Sequence, residues 1–95
     1  MNVKRITLTG TTTKIEFDDK CGKWLVKNFT DNDIFAAFEV GENNELDEST
    51  SAKIKSNYGQ VVINNERLQF NTIYETNAIY IKGTGEVEVQ QLCFH

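Results

Sequence analysis

Apolar and polar positions alternate with period two along most of this chain, the spacing of strands that bury one face. Val3, Ile6 and Leu8 lie in a Thr-rich opening strand, and Gly10-Thr11-Thr12 turns the chain into residues 14–18, where Ile15 and Phe17 share a side. After turn chemistry at 18–22, a strand is predicted over 24–29, and Thr30-Asp31-Asn32-Asp33 leads into 34–40, with Ile34, Ala36, Phe38 and Val40 on one face. Shorter strands are predicted at 52–55, 60–63 and 67–70. The stretch IYIKGTGEVEVQQL, residues 79–92, holds two alternating runs hinged on Gly83-Thr84-Gly85. It reads as a β-hairpin with Ile79, Ile81, Val87 and Val89 inward and Tyr80, Lys82, Glu86 and Glu88 outward.

No window places apolar residues at i, i+3, i+4 and i+7, so no substantial helix is expected. Proline is absent, which leaves turn formation to six glycines and many Asn and Asp residues. The expectation is an all-β protein: a single β-sandwich or jelly-roll-like domain over residues 1–95, with about eight short antiparallel strands.

Composition narrows the partners. The net charge of −4 disfavours generic binding to nucleic acid or to anionic lipid. No apolar run is long enough to span a bilayer, and the alternating N-terminus lacks the continuous apolar core of a secretory signal. These features predict maturation in a reducing cytoplasm. There Cys21 and Cys93, the only two cysteines, read as unpaired thiols, with a disulfide between the two ends of a sandwich as the alternative.

Chemistry is sparse. The only histidine is the last residue, His95, where no geometry holds an imidazole against a nucleophile, and the acid pairs at Glu86 and Glu88 fall on one solvent-facing strand side. Lys82-Gly83-Thr84-Gly85 is followed by strand sequence with acids, not by the helix that a phosphate loop opens. The expectation is therefore a protein that is not an enzyme, with no cofactor and no metal. The polar segment 41–51 is longer than an ordinary connection and reads as a solvated excursion. Glu42, Asn43, Glu45, Asp47 and Glu48 offer oxygen ligands there, but without the order or the central glycine of a calcium loop. Phe35, Tyr74 and Tyr80 oppose the apolar faces of their strands and are the candidate binding residues, for a protein partner or for stacking on sugar.

Three segments, WLVKNFTDNDIFAAFE, SNYGQVVIN and AIYIKGTGEVEVQQLCF, resemble small virion-associated proteins of tailed phages and prophages of Gram-positive bacteria. The terminal I-Y-I-K-G-T-G-x-V-E-V-Q pattern is the most distinctive part of that resemblance, which runs over residues 24–94. It implies a β-sandwich structural component of the particle, in the capsid decoration, head fibre or tail, made in the host cytoplasm and located in the virion. It also implies a homo-oligomer, a trimer being the form that suits a fibre or a decoration knob, or docking on other virion proteins. The family carries no catalytic residues to transfer. The alternative function is a small carbohydrate-binding module that recognises a host-surface glycan.

Overall fold

The computed structural model describes residues 2–64 and 73–93. The strand expected at 67–70, and His95, lie outside them. Among the described residues there are eight strands: β1 (Val3–Thr9), β2 (Thr13–Cys21), β3 (Lys23–Asn28), β4 (Ile34–Ala37), β5 (Ala52–Ile54), β6 (Gly59–Ile63), β7 (Thr76–Lys82) and β8 (Thr84–Gln91). They form two antiparallel four-stranded sheets, in the orders β1-β8-β3-β6 and β2-β7-β4-β5.

This order has a simple origin. β1 pairs with β8, β2 with β7, β3 with β6 and β4 with β5. The first half of the chain therefore lies antiparallel along the second half, as one long ribbon whose tip is the β4–β5 connection. Rolling that ribbon brings β3 against the other side of β8, and β4 against the other side of β7. The result is the double-sheet jelly roll, and the all-β sandwich expected from period-two spacing is what the chain adopts.

The rolled ribbon buries one side of every strand. Trp24, Val26, Val87 and Val89 of the first sheet face Ile15, Ile34, Ile54, Ile79 and Ile81 of the second, and all are essentially out of solvent. Trp24 is the largest of them, set between Phe17 and Phe38 at ring-centroid distances of 5.3 and 6.0 Å. Its indole N–H donates to the carbonyl of Cys21 at 2.9 Å, so the polar edge of the ring is satisfied inside the core. The predicted strand at 34–40 is regular only to Ala37, although Phe38 still packs on the core.

Two sequence-based expectations are corrected. Residues 79–92 do not form a hairpin. β7 belongs to the second sheet and β8 to the first, so Gly83 is a corner at which the chain crosses between sheets. β1 and β2 cross beside it, and the Gly10 amide donates to the Gly83 carbonyl at 2.8 Å. The register runs from Thr9 opposite Thr84 to Thr13 opposite Ile81, so residues 10–12 face 82–83, and the one extra residue bends the ribbon. Glycine is required here for space: a Cβ on Gly83 would lie 2.5 Å from Cγ2 of Ile34, and one on Gly85, at φ +115°, would lie 2.6 Å from Cγ2 of Thr30.

The second correction concerns the thiols. Cys21 and Cys93 form a disulfide with a Cα–Cα distance of 5.7 Å. Cys21 ends β2 in the second sheet, and Cys93 follows β8 of the first, so the bond ties the two sheets together across one end of the sandwich. Pairing was disfavoured only on grounds of compartment. Rolling the ribbon brings positions separated by 72 in sequence into bonding range.

A knot of polar groups holds another corner, where β3 crosses to β4 and β5 to β6. Asn28 is 1% exposed, and its side-chain amide donates to the carbonyls of Asn32, Ile54 and Lys55 at 2.8, 3.2 and 3.1 Å. Its carbonyl oxygen accepts from the amide of Thr30 at 2.9 Å. One buried side chain thus bonds to backbone groups of both crossings, alongside the Thr30 hydroxyl on the Asn32 carbonyl and the Tyr58 amide on that of Lys55.

Candidate functional site

The three aromatics singled out from the sequence do not form one site. Phe35 and Tyr80 lie on the outer face of the second sheet, on neighbouring strands β4 and β7, where Phe35 is opposite Lys82 and Ala37 opposite Tyr80. Both residues are half-buried. The acidic 41–51 segment is folded back over that face and is not a free excursion. Lys82 Nζ reaches Glu48 at 3.1 Å and Glu45 at 3.5 Å. Thr12 Oγ1 donates to Glu45 at 3.3 Å and accepts from the amide of Leu46 at 3.3 Å. Leu46, the lone apolar residue of the segment, is 5% exposed. The Glu48 carboxylate, hydrogen-bonded to the Lys82 ammonium, raises the lysine above its ordinary value.

That arrangement employs the acids that had suggested a cation site. Glu45 and Glu48 face Lys82, and Asp47 accepts from the Ser49 hydroxyl at 2.6 Å and from the Ser49 amide at 3.0 Å. The Ser49 hydroxyl bond is the main cause that holds the Asp47 carboxyl below the usual carboxylate range. Among the described residues no group of three potential metal ligands converges.

Tyr74 is on a different part of the surface. It lines an open groove of about 790 Å³ between the ends of β4 and β5 and the end of β6, together with Phe38, Glu39, Ser51, Val62 and Asn64. Tyr74 is 40% exposed.

The outer face of the first sheet, which holds none of the three aromatics, carries exposed apolar residues as well. Trp24, Val26, Val62, Val87 and Val89 point inward, so alternation sends Leu25, Lys27, Val61, Ile63, Glu86 and Glu88 outward. Arg5, Glu88 and Lys27 form a charge ladder across β1, β8 and β3, at 3.0 Å from Arg5 to Glu88 and 3.2 Å from Lys27 to Glu88. Hydrogen bonds from Arg5 and then Lys27 hold the Glu88 carboxyl below its usual range. Toward one end of the face, β1, β8, β3 and β6 bring Val3, Gln90, Leu25 and Val61 into register, with Ile63 beside them. Val3, Val61 and Ile63 are all more than 40% exposed. At the other end Arg5 lies over the ring of exposed Phe29, 5.3 Å from its centroid.

Phe29 was legible. It has the parity of Leu25 and Lys27, opposite to that of Trp24, and only the assumption that aromatics fill the core hid it. Tyr58, the most exposed aromatic described, at 63%, sits just before β6.

Comparison with protein-family models, with curated proteins and with solved structures finds no match. What this chain is for is therefore argued from its own surfaces.

Proposed function

We propose that this protein is a non-enzymatic structural component of a phage or prophage particle, located in the virion, which acts by self-association or by docking on other virion proteins. The observation that carries the reading is the uncovered apolar end of the first sheet, where Val3, Leu25, Val61 and Ile63 are presented side by side. Exposed apolar side chains gathered on one rigid face suit burial against another protein. The Cys21–Cys93 disulfide supports the same reading, since such bonds persist on virion and cell surfaces and not in the reducing interior of the host. The jelly roll is compatible with it, being a fold of capsid and lectin domains alike. Mass spectrometry of purified, induced particles tests the proposal. The chain is expected among the proteins of intact virions, and its absence there would sink the idea.

The groove beside Tyr74 favours a second reading, a module that binds host-surface glycan. An exposed ring next to Glu39, Asn64 and Ser51 combines a stacking surface with hydrogen-bonding groups. Glycan-array binding that disappears in Tyr74→Ala would support it, and no binding to any glycan would remove it.

A further inference from the structure

We infer that the free edge of β6 pairs with the β6 edge of a second copy, antiparallel across a two-fold axis, to make one continuous sheet through two molecules. This rests on the self-association part of the function proposed above and is independent of the particle.

A sheet edge is a row of unpaired backbone groups, and proteins that stay monomeric blunt such edges with charge, bulges or brevity. Three of the four edges here are blunted. β1 carries Lys4 and Arg5. β2 carries Lys14 and Glu16, and its register breaks between Glu16 and Cys21. β5 is three residues long, with Lys53 at its centre. β6 has none of these devices. Its sequence is Gly-Gln-Val-Val-Ile, and every residue from 56 to 65 is uncharged.

Among the described residues the edge is also open. The Tyr58 carbonyl accepts from Asn28, and the Asn64 amide donates to Gly22, both on the β3 side. By alternation the backbone groups of Gly59, Val61 and Ile63 then point away from β3. No described residue bonds to them, and all three residues are exposed.

The choice of a second copy follows from symmetry and charge. Pairing about Val61 sets Val61 opposite its own copy and Gly59 opposite Ile63. Each of these residues has its backbone groups directed at the partner, so each pair exchanges both hydrogen bonds. A charged edge would meet its own charge across the two-fold axis, whereas a neutral one meets no repulsion. Val61, a β-branched residue, gains a cross-strand partner, and the apolar ends of the two outer faces join into one surface. Lys53 on the neighbouring edge would face its own copy, which confines the pairing to β6. A two-fold arrangement closes at two molecules, not three.

Sedimentation velocity over a range of concentration, on the full oxidised chain, tests this with Val61→Lys and Val61→Glu. Val61 is 48% exposed, so both variants are expected to keep the circular dichroism of the parent, and its melting temperature at a concentration where the parent is monomeric. The parent should pass from monomer to dimer. Each variant alone should dissociate at least about tenfold more readily, because like charges then meet at the axis. An equimolar mixture of the two should recover the dimer. A parent that is monomeric throughout, a trimer, or dimers indifferent to both substitutions would overturn the inference. A monomeric parent found in virions would overturn it too, assigning the edge to a strand of another protein while leaving the functional proposal standing.

Discussion

On the outer side of the first sheet, Arg5, Glu88 and Lys27 form an open ladder beside Val3, Leu25, Val61 and Ile63, with nothing described lying over them. On the outer side of the second, the 41–51 segment is clamped by Lys82 and Thr12 and buries Leu46. Both faces obey the same alternation, and both carry apolar side chains at outward positions. The difference is that one of them received a connection long enough to fold back. Outward parity alone therefore does not make a residue available to a partner. Phe35 and Tyr80 have that parity and are half-covered, whereas Val61 and Phe29 have it and are open.

The strongest way to break this contrast is to uncouple the sheets that bear the two faces. Cys93→Ser removes the bond between them, and chain-entropy arguments for a closed loop of 72 positions give a loss of about 4 kcal/mol. Urea unfolding should show a lower midpoint for the variant, with the parent falling to match it once reduced. An unchanged midpoint would mean that the cross-link contributes nothing.

A smaller effect separates the faces directly. Leu46→Ala should cost about 2 kcal/mol by removing the buried anchor of the covering segment, and should make residues 41–51 an early site of limited proteolysis. Val3→Ala, on the bare face, should stay within about 0.5 kcal/mol of the parent. Equal costs for the two would erase the distinction.

The smallest effects are those of pH, and they have opposite signs. Lys82 is raised in the folded protein, so its contribution is present below the ordinary lysine value of 10.5 and is lost as pH climbs through the folded value. Glu88 is lowered, so its contribution is present above the ordinary value of 4.5 and is lost as pH falls through the folded one. Protection factors of the 41–51 amides, taken against the intrinsic exchange rate at each pH, should therefore fall at the alkaline end in the parent, and in Lys82→Met they should be low throughout and lack that fall. Glu88→Gln should flatten the acid limb of the stability curve and leave the alkaline limb alone.

Strand positions and facing were legible because they follow from a local rule. Ile15 with Phe17, Ile79 with Ile81 and Val87 with Val89 recur at every second position, and each pair is buried as that alternation demands. The same rule sends Glu86 and Glu88 outward. Of the candidate binding residues, Tyr74 proved exposed, while Phe35 and Tyr80 shared a face without being free. The edge of β6 could be read in part, since an uncharged run is visible in sequence, but that it forms an edge is not.

Sequence by itself determined an all-β chain of short strands and the core-seeking side of those around Ile15, Ile34, Ile79 and Val87, because side-chain alternation needs only neighbours along the backbone. Sheet membership was decided by tertiary structure alone. Gly83 looks like a hairpin turn locally, and becomes a crossing because β8 pairs with β1 and β3 in one sheet while β7 lies in the other. Pairing of Cys21 with Cys93, burial of Leu46, and exposure of β6 depend likewise on which distant segments the rolled ribbon brings together. Those contacts are long-range, and no local spacing encodes them.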